Sequence, residues 1–523
     1  MLSVKQAWAG AQFFAQLPGY LRHPLSFEAA RRSLADRLEH REYAFLEKLR
    51  LDICNQPRSP YLQLLRYAGC EFGDIETAVR RDGIEQALLE LLRAGVYLTI
   101  DEFKGRKIAQ RGSTQVEVRP ELLQAPRASY HLPGSSGGSR SKGTPVMIDL
   151  AFIRACAANS AVSLSSRGGE NWRKVIWESP GAGLRFRTVK FAGFTTLPAA
   201  TFSQIDPHSS DIPSYFRLNQ RLLSWAGRLA ARPLPWPIYA PLSDPSPLAN
   251  WLQQVRRAGD TPHLQTFPGS AVVLARFAVE NGYDISGTWI TVSGEPITAA
   301  RIATMQAAGC NVIPRYGTME TGAFGYGCSQ PDAPDDLHLV SDMHAMIQAG
   351  AESAAIGLPP TGLLITSLHA QAPFVMLNLS MGDQAELSER RCGCPLEQAG
   401  WTQHIRKVRS FEKLTGMGVT FDGALLIPVL EEILPTRFGG GPTDYQLVEA
   451  EGADGTPVLK LVVHPRLGKL DDQALIETFL AAMGSKSDSD NVMIKRWRDG
   501  GTLTVERREL STTKSGKINF LHT

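Results

Sequence analysis

Strand-like and helix-like segments alternate in the middle of the chain, from about residue 146 to about residue 380, and this alternation restricts the possible fold more than any other feature. Apolar residues with helical spacing occupy 273–278, and a β-rich run follows at 289–293. Another helical stretch then leads to a β-rich run at 311–316. Strands that are separated by helices favour parallel pairing. We therefore predict an α/β fold with a largely parallel sheet.

The segments on either side of this region have different patterns. Residues 1 to about 125 show helical spacing of apolar positions, for example at Leu34 and Leu38. Near the C-terminus the order is strand, strand, helix and strand, at 445–448, 458–463, 474–480 and 503–506. A chain of 523 residues exceeds what one compact core holds. We predict a large domain over 1–409, mainly helical up to 125, and a small α+β domain over 410–523.

The composition and the charge of the chain argue against several classes of partner. With 43% apolar and 20% charged residues, the chain has the composition of a globular protein. A net charge of +3 and scattered basic residues argue against a nucleic-acid or membrane-surface partner. The first residues lack the pattern of a secretory signal, and no apolar run is long enough to cross a bilayer. Seven cysteines, an odd number, favour reduced thiols, so we expect a cytoplasmic protein.

Five short segments carry residues suited to chemistry, although each alone is explained equally well as a turn or a linker. The first is a loop rich in Gly and Ser, whose N–H groups and hydroxyls can hold phosphate. It lacks the spacing of the nucleoside-triphosphatase loop, and a surface linker has the same composition. The other four contain Gly-Glu-Pro, Tyr-Gly-Thr-Met-Glu, Gly-Asp and Gly-Lys. The five segments lie at 134–144, 293–296, 315–322, 381–383 and 513–517.

The order and spacing of these segments resemble the adenylate-forming superfamily, which includes the acyl-CoA synthetases, and specifically its phenylacetate–CoA ligase-like branch. Members carry a Ser-Ser-Gly-rich phosphate loop, a Gly-Glu-Pro turn, a Tyr-Gly-x-x-Glu segment, a Thr-Gly-Asp segment and a Gly-Lys near the C-terminus. Counterparts of all five occur here in the same order, over about 130–523. The resemblance implies a large adenylation domain with mixed β-sheets and helices, followed by a small mobile α+β domain.

The resemblance also implies a reaction, in which a carboxylate attacks the α-phosphate of Mg·ATP and pyrophosphate leaves. The residues that would hold the β- and γ-phosphates are Ser135, Ser136, Gly137, Gly138 and Ser139. The adenine site would be formed by Gly294, Glu295, Pro296, Tyr316, Gly317 and Thr318. The ring of Tyr316 would stack on the base, and Asp383 would accept hydrogen bonds from the ribose. Glu320 would bind Mg²⁺, a cation that prefers oxygen ligands.

By the same resemblance, Lys517 is the catalytic lysine, whose ammonium group stabilises the transition state when the small domain closes. An arbitrary lysine near a C-terminus is a solvated surface residue, and only the Thr-Lys-Ser-Gly-Lys context favours catalysis. The hinge between the domains would lie at Arg409, a further candidate nucleotide-binding residue, and Ser410. The small domain would then rotate so that a thiol, usually that of CoA, attacks the adenylate.

Four residues form a candidate zinc site: Cys328, His338, Cys392 and Cys394. Three thiolates and one imidazole are a suitable tetrahedral set for structural Zn²⁺. The spacing is not the paired C-x-x-C that makes a zinc assignment strong, and isolated cysteines are ordinarily buried apolar residues. Proteins of the phenylacetate–CoA ligase-like branch often carry a comparable Cys-x-Cys after the Gly-Asp pair. The ion would connect the segments that carry Glu320 and Asp383.

Several positions depart from the family's pattern, among them two methionines, the stretched phosphate loop and the hinge at 408–411. Met319 stands where a Thr hydroxyl ordinarily meets the α-phosphate, and Met381 stands where a Thr precedes the Gly-Asp pair. A methionine side chain cannot donate a hydrogen bond. One explanation is a shifted phosphate geometry in which Thr318 or Arg140 replaces a missing contact, and the other is nucleotide binding with poor catalysis. The charged groups that catalysis needs are present, which favours an active enzyme.

The leading hypothesis is an enzyme that activates an acid, aromatic by analogy with the branch, and transfers the acyl group to CoA. The alternatives are transfer to a carrier-protein thiol or to an amine, and a degenerate, non-catalytic nucleotide-binding protein. Phe191, Phe194, Thr195 and Thr196 are candidate lining residues for the acid, although an ordinary half-buried strand explains them equally well. The sequence does not identify the acid or the oligomeric state.

Overall fold

The protein is mixed α/β, with one large sheet between helices and a smaller sheet near the C-terminus, which confirms the predicted fold class. A computed structural model describes residues 4–126, 131–135, 145–209, 214–294, 297, 299–410, 415–416, 419–420, 426, 428–440, 444–451, 457–484, 494–495, 497–510 and 521–522. Within these ranges, no helix is both long and apolar enough to cross a membrane.

Helices dominate the N-terminal part of the chain. They are α1 (Val4–Arg22), α2 (Phe27–Glu39), α3 (Arg41–Leu49), α4 (Pro60–Tyr67), α5 (Phe72–Arg93) and α6 (Ile100–Phe103). A π-helical turn, Arg50–Cys54, extends α3. The hydroxyl of Ser26 starts α2 by accepting a hydrogen bond of 3.1 Å from the N–H of Ala29, and Thr99 starts α6 with the N–H of Glu102 at 3.4 Å. Such caps satisfy N–H groups that the first turn of a helix leaves without partners.

Two β-hairpins connect the helical part to the central sheet. The elements are β1 (Ala109–Arg111), β2 (Thr114–Val116), a 3-10 turn (Pro120–Leu123), β3 (His131–Ser135) and β4 (Pro145–Asp149). In the second hairpin Ser135 pairs with Pro145, so the Gly- and Ser-rich loop joins two paired strand ends. The carboxylate of Asp149 accepts a hydrogen bond of 2.6 Å from the N–H of Ala151 and starts the helix that follows.

Strands and helices then alternate, as the sequence predicts. They are α7 (Leu150–Ser165), a 3-10 turn (Gly169–Asn171), β5 (Arg173–Glu178), α8 (Ala182–Ala192), β6 (Ala200–Ser203), α9 (Ser214–Leu229), β7 (Ile238–Tyr239), α10 (Ser246–Arg257), β8 (Pro262–Thr266), α11 (Pro268–Glu280), β9 (Trp289–Val292), α12 (Ala299–Ala307) and β10 (Asn311–Thr318). The β-rich runs at 289–293 and 311–316 correspond to β9 and β10, and the helical spacing at 273–278 lies in α11.

Shorter elements follow β10. They are β11 (Gly322–Gly327), β12 (Leu337–Leu339), β13 (His344–Gln348), a 3-10 turn (Gly350–Glu352), α13 (Ser353–Ile356), β14 (Leu363–Ser367), β15 (Asp383–Glu389), α14 (Pro395–Gln398) and β16 (Gln403–Ser410). The strands β13 and β14 pair with each other as a separate two-stranded sheet.

The central sheet has ten strands in the order β15-β16-β12-β11-β10-β9-β8-β5-β6-β7. Neighbours from β7 to β10 are parallel, whereas those from β10 to β15 are antiparallel. The predicted parallel pairing is therefore confirmed for the strands joined by helices, and the sheet becomes antiparallel after β10, because the short turn into β11 reverses the chain. The strand order reverses between β5 and β8, and such a reversal opens a crevice at the carboxyl ends of the strands.

The two faces of the parallel strands contact different parts of the molecule. On β5, Val175 and Trp177 belong to an apolar cluster that includes Leu252 of α10 and Leu274 of α11. The intervening Ile176 points to the opposite face and joins the larger cluster formed by α7, α8 and the N-terminal helices. Helices thus cover both faces of the parallel strands, the arrangement expected of a doubly wound sheet.

The C-terminal part has a sheet and an apolar core of its own. Its elements are β17 (Thr415–Gly416), β18 (Val419–Thr420), a π-helical turn (Val429–Ile433), α15 (Leu434–Phe438), β19 (Tyr445–Glu451), β20 (Pro457–Val463), a 3-10 turn (Pro465–Leu467), α16 (Asp472–Met483), β21 (Leu503–Arg507) and β22 (Leu521–His522). Four of the strands pair in the order β21-β20-β19-β22. Leu447, Leu461, Phe479 and Trp497 pack together in a cluster separate from those of the central sheet.

Candidate functional site

The end of β10 brings three of the predicted nucleotide-binding residues to one edge of the sheet. Tyr316, Gly317 and Thr318 lie at the carboxyl edge of the parallel strands, where such sheets bind ligands. The register of the β10–β11 pair shifts between Tyr316 and Gly317. A Cβ atom on Gly317 would lie 2.1 Å from the carbonyl oxygen of Gly322, so only glycine allows the two strands to pack this closely.

Substitution of Gly317 by alanine is expected to lower the free energy of unfolding by about 2 to 3 kcal/mol, because the added methyl group forces the two strands apart. Urea denaturation measures the change. Gly73 in α5 is the matched control, because a Cβ there has no atom within 4 Å. Gly73→Ala should leave stability unchanged or raise it by about 0.5 kcal/mol. Equal effects of the two substitutions would contradict this packing.

A hydrogen bond joins two predicted site residues that are far apart in the sequence. The hydroxyl of Tyr316 donates to Oδ2 of Asp383 at 2.8 Å. Asp383 is the first residue of β15, directly after Gly382, whose φ of 83° is left-handed. Burial, and then the negative charge of Asp383, raise the pKa of Tyr316 well above its usual range, so its hydroxyl stays protonated and donates. A carboxylate has about four acceptor positions, so Asp383 keeps the capacity to accept from a ligand.

The predicted Mg²⁺ ligand has a cationic neighbour that the sequence does not indicate. Glu320 is buried in the turn between β10 and β11, and its carboxylate lies 3.5 Å from the ammonium group of Lys104. Lys104 follows α6 directly, and its ammonium group also lies 5.2 Å from the centre of the Phe103 ring. A single carboxylate beside phosphate oxygens fits Mg²⁺, which keeps several waters and needs few protein ligands. Bound Mg²⁺ would compete with Lys104 for Glu320.

The two methionines that depart from the family's pattern are accommodated by apolar packing. Met381 is 2% exposed and belongs to the large apolar cluster, and Met319 packs against the same cluster. Two threonines, Thr318 and Thr321, stand on either side of Met319 in the sequence. Their hydroxyl oxygens lie 2.9 Å apart. The turn therefore retains hydrogen-bonding groups on both sides of the position where the family carries threonine.

Gly294 lies at the end of β9, at the same edge of the sheet as Tyr316. Its φ is +94°, a conformation that favours glycine, and a Cβ there would lie 3.1 Å from the ring of Phe267. The remaining members of the predicted nucleotide and catalytic set lie outside the described residues: Ser136, Gly137, Gly138, Ser139, Glu295, Pro296 and Lys517. For Ser135 the structure describes the backbone pairing in β3.

The side chain of Arg409 turns to a carboxylate that sequence reasoning missed. Its Nη1 donates to Oδ2 of Asp335 at 3.1 Å. Asp335 also accepts from the N–H groups of Lys407 at 3.1 Å and Val408 at 3.0 Å. Asp335 thus holds the end of β16 in place, and Arg409 is 44% exposed. These contacts anchor the strand that precedes the predicted hinge.

The candidate residues for the acid are not in a strand. Phe191 lies in the last turn of α8, and Phe194, Thr195 and Thr196 follow in the turn after it, so the half-buried-strand explanation is wrong. The ring centres of Phe191 and Phe194 are 5.7 Å apart, and that of Phe194 lies 5.8 Å from Phe27 of α2. Both phenylalanines are packed in the core, where α8 meets the N-terminal helices.

The four residues of the predicted zinc site lie together. Cys328, His338, Cys392 and Cys394 place one ligand atom each within 4.8 Å of all the others. Cys328 follows β11, His338 lies in β12, and the other two cysteines lie between β15 and α14. Nε2 of His338 is 3.1 Å from Sγ of Cys394 and 3.6 Å from Sγ of Cys392. This donor set fits tetrahedral Zn²⁺.

The surroundings of these four residues resemble the outer shell of a metal site. Nδ1 of His338 lies 2.6 Å from the carbonyl oxygen of Trp401, so Nδ1 carries the proton and donates it, leaving the lone pair of Nε2 directed at the cysteines. The hydrogen bond from Cys328 lowers the pKa of Cys394 below its usual range, which favours the thiolate. A metal ion bound by these four residues would connect the end of β11, β12 and the loop after β15. It would therefore stabilise the strands next to Tyr316 and Asp383.

One solved structure is similar to the chain over almost its full length. It is 2-hydroxyisobutyryl-CoA ligase in complex with 2-HIB-AMP and CoA in the thioesterification state, with a TM-score of 0.52 and 16% sequence identity over 96% of this chain and 91% of that chain. The chain has the fold of this ligase. The similarity agrees with the fold that the sequence predicts, and the phenylacetate–CoA ligase-like branch remains a prediction.

Two further solved structures match the chain with lower similarity. A malonyl-CoA ligase with methylmalonyl-CoA and AMP bound has a TM-score of 0.39 and 11% identity, over 85% of this chain and 95% of that chain. The o-succinylbenzoate CoA synthetase from Bacillus subtilis has a TM-score of 0.39 and 12% identity, over 79% of this chain and 72% of that chain. No protein-family model and no curated protein matches the sequence.

Proposed function

We propose that the protein is an ATP-dependent ligase that activates a carboxylic acid as an acyl adenylate and releases pyrophosphate. The observation that carries the proposal is the hydrogen bond between Tyr316 and Asp383 at the carboxyl edge of the sheet. These residues belong to two separate motifs of the ordered set, and their contact at an edge of the sheet where ligands ordinarily bind supports an adenosine site there. The adenylate-forming fold supports the same conclusion, although fold alone does not establish an activity.

In the proposed reaction, an oxygen of the acid attacks the α-phosphorus of ATP, and the bond from that phosphorus to the bridging oxygen of pyrophosphate breaks. The adenosine is bound by Gly294, Glu295, Pro296, Tyr316, Gly317 and Thr318, with the ribose hydroxyls donating to Asp383. The β- and γ-phosphates are held by Ser135, Ser136, Gly137, Gly138 and Ser139. The ammonium group of Lys517 stabilises the charge that develops on the α-phosphate.

Two metal ions belong to the proposal. Glu320 would hold Mg²⁺, which supplies partial neutralisation of the phosphate charge, and Lys104 would release that carboxylate as the cation binds. A structural Zn²⁺ would be held by Cys328, His338, Cys392 and Cys394. The short distances between their ligand atoms, and the hydrogen bond that orients the His338 ring, support this site. The zinc ion would take no part in the chemical step.

The proposed domain division places residues 1–409 in a large domain and 410–523 in a small one that rotates about Arg409 and Ser410. The small domain would carry Lys517 to the active site for adenylation and withdraw it for the second step. In that step a thiol sulfur attacks the acyl carbon, AMP leaves, and the thiol proton passes to solvent. We propose CoA as the thiol and an aromatic acid as the substrate, on the basis of the family resemblance. A carrier-protein thiol and an amine are the alternative acceptors.

Incubation of the purified protein with Mg·ATP and a panel of aromatic and aliphatic acids tests the proposal. Mass spectrometry should detect an acyl adenylate, together with pyrophosphate, for at least one acid. The adenylate should be consumed when CoA is added, and an adenylate that persists with CoA but reacts with a carrier protein or an amine would identify the alternative acceptor. ATP binding without any adenylate would favour the non-catalytic nucleotide-binding protein.

Substitution of Asp383 by asparagine is expected to weaken ATP binding about tenfold or more, because hydrogen bonds to a charged acceptor are worth about 1.5 to 3 kcal/mol. Isothermal titration calorimetry measures the affinity. The control is Asp36→Asn, which changes the same functional group on the surface of α2. If Asp383→Asn binds ATP as tightly as the Asp36→Asn control, the placement of the ribose at Asp383 is incorrect.

A further inference from the structure

One face of the parallel strands carries buried polar side chains beside the apolar ones, towards the carboxyl ends of the strands. On β5, Val175 and Trp177 point to the apolar cluster on one side of the sheet. Glu178, the last residue of β5, points to the other side, beneath α8. The corresponding face of the neighbouring strands carries His263, Gln265, Thr291, Ser293 and Arg315, all of them buried. Parallel strands covered on both faces are ordinarily apolar on both. A polar layer at this depth indicates a function for the side chains in it.

Three of the buried side chains in and above this layer are cations, and we refer to Arg187, Lys190 and Arg315 as the cation cluster. Arg187 forms an ion pair with Glu178 and donates from Nη2 to the hydroxyl of Ser293 at 3.3 Å. Nη1 of Arg315 lies 3.5 Å from the same hydroxyl. The ammonium group of Lys190 donates to Oε1 of Gln265 at 3.3 Å.

The cation cluster has more positive than negative charge. Among the described residues, the ion pairs connect it to one carboxylate, that of Glu178. Burial, and then the charge of Arg315, lower the pKa of Arg187 to about 9, and burial with the same neighbour lowers the pKa of Lys190 well below its usual range. Nε of Arg315 is buried without a hydrogen-bond partner in the described part of the chain. Uncompensated buried charge is strongly destabilising, and a bound anion would relieve it.

The position of the cation cluster relates it to the candidate active site. Arg315 immediately precedes Tyr316 in β10, and Ser293 immediately precedes Gly294. The guanidinium carbon of Arg187 lies 5.6 Å from the centre of the Phe267 ring, the ring that packs beneath Gly294. The cluster therefore lies at the carboxyl edge of β5, β8, β9 and β10, next to the crevice where the strand order reverses and beside the proposed adenosine site.

We propose that the cation cluster binds a second carboxylate of the acid, so that the substrate of this enzyme is a dicarboxylic acid. This inference rests on the proposed function, because it concerns the acid that is adenylated. One carboxylate reacts with ATP, while the other accepts hydrogen bonds from Arg187, Arg315 and Lys190. Arginine presents a planar pair of donors that matches a carboxylate, and a cationic layer disfavours an unsubstituted hydrocarbon tail.

Pairs of acids that differ by one carboxylate test the inference on the unmodified protein. Suitable pairs are phenylacetate and homophthalate, benzoate and isophthalate, and hexanoate and adipate. For at least one pair the dicarboxylate should have a kcat/KM for adenylate formation about 10- to 100-fold higher, the range expected of charge-assisted hydrogen bonds. Calorimetry of the same pairs gives the affinities, so selectivity is measured even without turnover. Equal or better use and binding of the monocarboxylate in every pair overturns the inference, whereas absence of ATP binding overturns the proposed function.

Substitutions test whether the cation cluster causes the preference for dicarboxylates. Arg187→Gln should lower the ratio of dicarboxylate to monocarboxylate kcat/KM about tenfold, and Arg187→Lys should restore part of it. Lys174→Gln is the matched control, because Lys174 is a buried cation at the opposite end of β5, bonded to the hydroxyl of Thr196 at 2.8 Å. This control should leave the ratio unchanged. Weaker ATP binding in Arg187→Gln with an unchanged ratio would mean that the cluster binds phosphate, and would overturn the inference.

Discussion

Substitution of Lys517 by alanine is expected to lower the rate of acyl-adenylate formation by about 10³-fold, while the affinity for ATP changes little. The ammonium group is proposed to meet charge that develops only in the transition state, so its loss affects the chemical step more than binding. Single-turnover formation of the adenylate and equilibrium binding of ATP measure the two quantities separately. Transfer of a preformed adenylate to the thiol should be much less affected, because the proposed small domain withdraws Lys517 before that step.

Lys514 provides the matched control for this prediction. It lies three residues earlier in the same Thr-Lys-Ser-Gly-Lys segment and has the same charge. Lys514→Ala should retain adenylate formation within about threefold, since the resemblance assigns Lys514 no contact with the α-phosphate and salt screens charges that act at a distance. Similar rates for the two variants would contradict the catalytic assignment of Lys517. A loss of ATP binding in Lys517→Ala would place the residue in ground-state binding instead.

Substitution of Cys394 by serine is expected to abolish stoichiometric zinc binding and to lower the free energy of unfolding by about 4 kcal/mol or more. Sγ of Cys394 lies 3.1 Å from Nε2 of His338, and serine is a poor replacement for a thiolate ligand. Loss of the zinc ion should loosen two strands: β15, which begins with Asp383, and β11, which follows Glu320. Metal analysis should find about one zinc ion per chain in the unmodified protein, and denaturant unfolding with and without a chelator gives the stability.

Cys54 is the control for the zinc prediction. It is half-buried in the turn that extends α3 and does not belong to the metal-binding set of the described residues. Cys54→Ser should retain zinc and should unfold at nearly the same denaturant concentration as the unmodified protein. A purified protein that contains no zinc, and whose stability does not respond to zinc or to the chelator, would show that the four residues are an ordinary buried cluster.

Local patterns in the sequence predict the elements of the fold better than their arrangement. The β-rich runs at 289–293 and 311–316 become β9 and β10 because their apolar residues are buried on a sheet, and the helices between them impose parallel pairing. The antiparallel strands β12, β15 and β16 join the same sheet through pairing between segments that are far apart in the sequence, such as β12 with β16. The spacing and periodicity of residues along the sequence contain no information about contacts between distant segments.

The same distinction applies to the candidate site. The ordered motifs identify Tyr316 and Asp383, whose side chains are in contact, but nothing near Glu320 in the sequence indicates that Lys104 pairs with it. The contact of Arg409 with Asp335 is equally non-local. The cation cluster did leave a signal, since polar residues such as Glu178, Gln265 and Thr291 stand among the apolar residues of β5, β8 and β9, but only the packing of α8 shows that they are buried.

Oxygen transfer from the acid to AMP tests the central claim most directly. An acid that supports adenylate formation is labelled with ¹⁸O in the reacting carboxylate and incubated with the protein, Mg·ATP and CoA, and the AMP is analysed by mass spectrometry. Attack of the carboxylate on the α-phosphorus predicts that one labelled oxygen appears in AMP, because the new bond between oxygen and phosphorus survives when the thiol attacks the acyl carbon. Unlabelled AMP, or release of ADP and phosphate in place of AMP and pyrophosphate, would contradict activation through an acyl adenylate.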